Sequence, residues 1–96
     1  MFVIAANLTA IPEQKYKFLK IVGDLAKGSC QEPGCQRFEV YQSIDDPNEF
    51  IMYEEWTDMG EEATKLHTAA EYYKRYSSER NNIVAKQSVK KYQVMD

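Results

Sequence analysis

The stretch that most constrains the fold runs from Glu32 to His67 and has the sequence EPGCQRFEVYQSIDDPNEFIMYEEWTDMGEEATKLH. Two segments in it, 35–42 and 50–56, are rich in β-forming residues, and the turn-forming sequence Asp-Asp-Pro-Asn lies between them. A short connection between two such segments predicts an antiparallel hairpin. Large side chains occur on both faces of the second strand, so we expect that strand to be covered on both sides.

The residues before the hairpin predict a strand followed by a helix. Apolar residues alternate with small and polar ones from Phe2 to Ala10, which is typical of a strand with one buried face. A helix is predicted from Pro12 to about Ala26 or Lys27, with Gly28 as its stop. Helical spacing predicts its buried stripe: Phe18, Leu19, Val22, Leu25 and Ala26.

The residues after the hairpin predict two more helices and a last strand. The first helix begins after Thr57 or Asp58, either of which can cap it. The second is predicted over about 70–81, ending at an asparagine pair (81–82) that favours a turn, and the strand over 85–94. The order β-α-β-β-α-β predicts an α+β fold of the ferredoxin-like split βαβ type, with an antiparallel sheet and its helices on one face.

Composition narrows the class of protein. The chain has 96 residues, which predicts a single domain over 1–96. Its formal net charge is −3 and it has no basic run, so we expect no nucleic acid partner. Since neither a signal peptide nor an apolar run of roughly 20 residues is found, we expect no membrane partner and a cytoplasmic location. Cys30 and Cys35 lack the spacing of a metal or redox site, which predicts free thiols.

Several motifs follow one another in a recognisable order: the turn EPGC, the segment RFEV, the turn DDPN, a strand ending in YEEW, and a histidine eleven residues after that tryptophan. In this order they resemble the antibiotic biosynthesis monooxygenase domain, whose relatives include small quinol monooxygenases and an autoinducer-2 phosphate isomerase. The segment GSCQEPGCQRFEVYQ is most similar to the isomerase branch. The resemblance implies a dimeric α+β barrel. Large residues expected on the uncovered sheet face, Tyr41, Ile51 and Tyr53, independently predict a homodimer through that face.

The predicted catalytic residues are His67 and Tyr72, and the predicted proton carrier is His67. It is the only histidine in the chain, and histidine is the side chain whose protonation changes near neutral pH. Its spacing from Ala63 and Leu66 predicts that it faces the sheet, although a purely structural histidine is the alternative. The resemblance also implies a histidine here, and often a second one five residues later, where this chain has Tyr72. A tyrosine there can donate a hydrogen bond to an oxyanion but is a poor base at neutral pH.

Five further residues are predicted to contact a small-molecule substrate, each with a structural alternative. Trp56 has an indole N–H that needs a partner if it is buried, and Asn7 lies on the polar face of the first strand. Tyr73 and Tyr76 form either an aromatic wall for a ligand or part of the core. Arg37 binds an anion or pairs with a neighbouring glutamate.

Together these observations predict a small cofactor-independent monooxygenase that acts on a quinol-like, phenol-like or other compact oxygenated metabolite. Two alternatives are an isomerase of a small hydroxyketone, similar to the autoinducer-2 phosphate isomerase, and a non-catalytic dimeric ligand-binding module. The haem-degrading branch of the superfamily is disfavoured, because His67 and Ser77 stand about where that branch has a tryptophan and its axial histidine. Neither a phosphate loop nor a metal-ligand pattern occurs in the sequence, so we expect no cofactor and no metal.

Overall fold

The computed structural model describes residues 1–57 and 60–95. The strands are β1 (Phe2–Ala10), β2 (Cys35–Gln42), β3 (Glu49–Trp56) and β4 (Val84–Gln93). The helices are α1 (Lys15–Cys30), preceded by a short 3₁₀ helix (Pro12–Gln14), α2 (Glu61–Ala69) and α3 (Glu71–Ile83).

The strands form one antiparallel sheet in the order β2-β3-β1-β4. The β2–β3 hairpin forms where the sequence predicts it, and β1 lies between β3 and β4. Leu8 on β1 stands opposite Phe50 on β3, and Ala6 stands opposite Met52, so these four apolar side chains lie on one sheet face. The predicted α+β fold of ferredoxin-like topology is therefore confirmed.

The core lies between this sheet face and the helices α1 and α3. It forms because the apolar residues of β1 and β3 alternate with the strand period while those of the helices recur every three or four residues. Its buried members are Ala6, Leu8, Ala10, Phe18, Ile21, Val22, Leu25, Phe38, Phe50, Met52, Trp56, Tyr76 and Ile83.

Helix α1 differs from the prediction in its buried stripe and in its end. Ile21 is 1% exposed whereas Leu19 is 42% exposed, so the inclusion of Leu19 in the stripe is wrong. The helix also continues through Gly28 to Cys30. Gly28 does not stop the helix; a Cβ at this position would clash with the ring of Tyr72, so the glycine permits a close approach of α3.

Helix α3 also continues beyond its predicted end. It includes both asparagines at 81–82 and ends at Ile83, so the predicted turn at that pair is wrong. Ile83 is 0% exposed, and its burial in the core stabilises a last helical turn that its polar neighbours do not favour by themselves. Strand β4 then begins at Val84 without an intervening loop.

The predicted side-chain cap of α2 is not formed by Thr57. The N-cap residue is Gly60, without a side-chain cap hydrogen bond, while the Thr57 hydroxyl donates to the carbonyl oxygen of Gly34 at 3.3 Å. Asp58, the other predicted cap, lies outside the described residues. The hydrogen bond from Thr57 therefore links the end of β3 to the turn before β2.

Cys30 and Cys35 are free thiols, as predicted. The Cys30 thiol donates to the carbonyl oxygen of Phe38 at 3.4 Å. Burial and the neighbouring Cys30 raise the pKa of the Cys35 thiol to about 12. In the part of the chain that the structure describes, no helix is long and apolar enough to cross a membrane.

Candidate active site

A group of buried and half-buried polar and aromatic side chains lies beneath the helices, at the edge of the sheet where β2 begins and β3 ends. Its members are Glu32, Glu54, Trp56, His67, Tyr72 and Tyr73. Glu32 and His67 are each 8% exposed and Glu54 is 7% exposed. Since a buried ionisable group is costly unless it is hydrogen-bonded, the partners of these three residues define the site.

Glu32 holds His67 and Tyr72 together. The Nδ1 atom of His67 lies 2.9 Å from Oε2 and 3.0 Å from Oε1 of Glu32, and the hydroxyl of Tyr72 also donates to Oε2. An ionised carboxylate only accepts, so the hydrogen of this contact belongs to Nδ1, and Nε2 is the ring nitrogen able to take a proton. Burial, followed by the hydrogen bond to Glu32, raises the pKa of the Tyr72 hydroxyl, which keeps it a donor.

The turn that carries Glu32 is held by backbone hydrogen bonds on both sides. The amide of Glu32 donates to the carbonyl of Ser29 at 3.0 Å, and its own carbonyl accepts from the amide of Cys35 at 3.0 Å. The amide of Thr57 donates to the carbonyl of Gly34 at 2.9 Å. The predicted turn at Pro33-Gly34 therefore forms, although no glycine among the described residues has a positive φ. These bonds give the Glu32 carboxylate a defined position.

Trp56 and Glu54 form a second buried hydrogen-bonded pair, next to His67. The indole Nε1–H of Trp56 donates to Oε1 of Glu54 at 2.9 Å, so its expected partner is a protein carboxylate. Burial raises the pKa of the Glu54 carboxyl, and the Trp56 hydrogen bond and the nearby His67 lower it in part. Glu54 therefore keeps a proton to higher pH than a solvated glutamate does.

Two aromatic rings fix the orientation of the His67 ring. The centroid of Trp56 lies 5.3 Å from that of His67, with 69° between the ring planes. Tyr73 approaches from α3 at 4.9 Å and 62°. Both are edge contacts, the geometry that aromatic rings favour, and they restrict rotation of the imidazole. Tyr76 is 8% exposed and lies in the core, where burial raises the pKa of its hydroxyl.

The structure does not bring Asn7 and Arg37 to this group. Asn7 is exposed and stands opposite Ile51 and Ser88 on the sheet face away from the helices. Arg37 is exposed as well, and its Nε lies 3.8 Å from Oε1 of Glu39. Of the residues predicted from the sequence, Trp56, His67, Tyr72 and Tyr73 are adjacent.

Two cavities open beside Glu32. The first has a volume of about 390 Å³ and is lined by Glu32, Pro33, Gly34, Trp56, Thr57, Glu62, Ala63 and Leu66. The second has a volume of about 500 Å³ and is lined by Gly28, Gln31, Glu32, Pro33, Leu66, Ala69, Ala70 and Tyr72. Glu32, Pro33 and Leu66 line both. Glu32 is thus the ionisable residue that the two cavities share.

Sequence reasoning missed Glu32 as a site residue. An acidic residue in a turn is ordinarily solvated, and only the packing of α2 and α3 against this turn buries it. The available signal was its place in EPGC, one of the motifs that carry the family resemblance.

The sequence profile of the antibiotic biosynthesis monooxygenase family matches residues 1–79. YcnE of Bacillus subtilis, which is provisionally named as a monooxygenase, is 28% identical over 76 residues that make up 79% of this chain and 78% of that protein. A solved structure described as an antibiotic biosynthesis monooxygenase is similar with a TM-score of 0.84 and 25% identity, over 100% of both chains. PA3566 of Pseudomonas aeruginosa has a TM-score of 0.83 and 23% identity, over 98% of this chain and 94% of its own, a likeness of fold.

Proposed function

The chain belongs to the antibiotic biosynthesis monooxygenase family, and from that premise we propose that it is a small cofactor-independent monooxygenase that acts on a quinol-like or phenol-like metabolite. The observation that carries the proposal is the buried contact of 2.9 Å between Nδ1 of His67 and Oε2 of Glu32, beside cavities of about 390 and 500 Å³. A proton acceptor next to space for a single ring is what deprotonation of a phenol requires.

In the first step the substrate hydroxyl loses its proton to the His67–Glu32 pair. The O–H bond breaks, its electron pair stays on the substrate oxygen, and the ring becomes electron-rich. Tyr72, which donates to Glu32, keeps that carboxylate oriented. Because these groups are buried, their charges act on the substrate with little screening by water.

In the second step the electron-rich ring reacts with molecular oxygen. One oxygen atom enters the ring, the other leaves as water, and the quinol becomes a hydroxylated quinone. The substrate supplies all the electrons, so this scheme uses no bound cofactor. The contribution of the protein is orientation, exclusion of water and transfer of the proton.

We also propose that the protein acts as a homodimer, packed through the sheet face opposite the helices, in the cytoplasm. That face carries Tyr41, which is 45% exposed, and the half-buried Ile51 and Tyr53. A chain of 96 residues buries only about 60–65% of its unfolded surface, so a partner subunit adds needed cover. The two free thiols fit a reducing compartment.

Oxygen consumption tests the proposal. A panel of quinols should cause uptake of one O₂ per quinol, and isotopically labelled O₂ should leave one labelled atom in the product. A reaction without protein measures the uncatalysed oxidation of each quinol by oxygen. Uptake no faster than this background contradicts the proposal, and turnover of a small hydroxyketone without oxygen uptake assigns the isomerase reaction instead.

A further inference from the structure

We propose that Glu32, rather than His67, contacts the substrate hydroxyl, and that the site therefore takes uncharged substrates and rejects anionic ones. The inference rests on the proposed function for the nature of the substrate, a ring with a hydroxyl group. It adds a contact residue and a charge preference that neither the family nor the relatives assign to this chain.

The position of Glu32 relative to the cavities supports the contact. Glu32 lines both cavities, whereas His67 is not among the residues that line either of them. The Nδ1 atom of His67 lies 2.9 Å from Oε2 of Glu32, and the His67 ring packs against Trp56 and Tyr73. A ligand in either cavity therefore contacts Glu32, and His67 takes part in proton transfer through its contact with that carboxylate.

Glu32 also has capacity for a further donor. An ionised carboxylate has about four lone-pair positions, and the protein supplies donors from His67 and Tyr72. His67 lies on α2 and Tyr72 on α3, and Glu32 lines both cavities. A substrate O–H can donate to Oε1 or Oε2 without displacing either protein group.

The charge of the cavity walls supports the preference. Glu32 and Glu62 both line the first cavity, and among the described residues that line the two cavities there is no lysine or arginine. A phosphorylated or carboxylated substrate would bring a like charge against Glu32 without a cation to offset it. A hydroxyl donor without charge meets no such repulsion, so the walls select against the phosphorylated hydroxyketones of the isomerase branch.

The remaining lining fits an apolar ring. Pro33 and Leu66 line both cavities, and Ala69 and Ala70 extend the wall of the second. Leu66 is 53% exposed, so a ring bound here would cover an apolar side chain that otherwise faces water. The preferred ligand is thus an uncharged aromatic alcohol whose hydroxyl points at Glu32.

Anaerobic titration calorimetry tests the inference with two para-substituted phenols, the uncharged hydroquinone and the anionic 4-hydroxybenzoate. The wild-type protein should bind hydroquinone about tenfold or more tightly than the anion, because the carboxylate of the anion meets Glu32 and Glu62 without a cation in the cavity walls. Glu32→Gln should lose about tenfold in hydroquinone affinity and most of the discrimination. His67→Gln, which can still donate to Glu32, should change hydroquinone affinity less than about threefold. Equal binding of the two ligands by wild-type protein, or no binding of hydroquinone, overturns the inference.

A second variant keeps the test decisive if Glu32→Gln does not fold. Glu62→Lys replaces an exposed acid of the first cavity, so it should raise affinity for 4-hydroxybenzoate and leave hydroquinone affinity unchanged. Unchanged anion affinity in the folded Glu62→Lys protein overturns the charge preference. Binding is measured without oxygen, so a lack of oxygen uptake refutes the monooxygenase reaction alone, while equal binding of the two ligands by the wild-type protein refutes the charge preference alone.

Discussion

The ring of Tyr72 packs directly on the backbone of Gly28. A Cβ added at Gly28 would lie well under 3.0 Å from three carbons of that ring, closer than real Cβ atoms approach. The same ring carries the hydroxyl that donates to Glu32. The absence of a side chain at Gly28 therefore sets how deeply α3 sits against α1, and with it the position of the Glu32 carboxylate.

Gly28→Ala should destabilise the protein despite the better helix propensity of alanine. The added methyl group forces the Tyr72 ring or the α3 backbone to move, and overpacking of this kind costs about 1–3 kcal/mol. Gly23→Ala is the matched control, because it lies in the same helix with nothing within 4 Å of its added Cβ. That variant should gain about 0.5–1 kcal/mol. Urea unfolding of both variants measures the difference, and equal stabilities would contradict the packing of Tyr72 on Gly28.

Local sequence patterns predict the strands of this protein but not the contacts between residues that are distant in sequence. Alternation in β1 and the hairpin motifs place strands correctly, because those patterns depend on residues close in sequence. The role of Gly28 depends on Tyr72, 44 positions later, and no local pattern distinguishes a glycine that ends a helix from one that admits a ring. The burial of Glu32 was missed for the same reason, since its partners come from α2 and α3.

The candidate site was predictable where a residue type is chemically distinctive. His67 stands out as the single histidine, and the structure places it in a buried contact with a carboxylate. Asn7 and Arg37 were selected for their polar chemistry, but strand alternation places both on the sheet face that the helices do not cover. The alternation of residues along a strand does not reveal which face of the sheet holds a ligand when both faces carry large side chains.

His67→Ala should lower kcat by about 10²–10⁴, the usual contribution of a proton-transfer residue, with little change in KM. His67→Gln should be impaired to a similar degree, because glutamine can donate to Glu32 but cannot take up a proton near neutral pH. Steady-state oxygen uptake measures both effects.

Circular dichroism provides the control that both variants are folded. Near wild-type turnover in folded His67→Ala and His67→Gln would remove His67 from the mechanism.

Tyr53→Lys should convert the proposed dimer into monomers. Tyr53 is half-buried on the uncovered sheet face, where its hydroxyl donates to Oε2 of Glu55 at 2.8 Å. A lysine at the centre of a face-to-face interface would bury a charge, which disfavours association. Tyr16→Lys is the matched control, since Tyr16 is 91% exposed on α1. Sedimentation velocity should give monomers for the first variant and dimers for the second; a dimer in both would locate the interface elsewhere.

Glu54→Gln should make the protein less sensitive to pH and more stable at neutral pH. Burial raises the pKa of the Glu54 carboxyl, so between its ordinary value of 4.5 and the raised value the folded protein binds more protons than the unfolded chain. The free energy of unfolding therefore falls as pH rises through that window, and above it the buried carboxylate is ionised at a cost. Glutamine carries no charge, and its Oε1 can still accept from the Trp56 indole.

Chemical denaturation at a series of pH values from 4 to 8 should show that the free energy of unfolding of Glu54→Gln exceeds that of wild type by an amount that grows with pH. Glu49→Gln, at an exposed position of the same strand, controls for loss of one negative charge. Parallel pH profiles for wild type and Glu54→Gln would show that burial of this carboxyl does not penalise its ionisation.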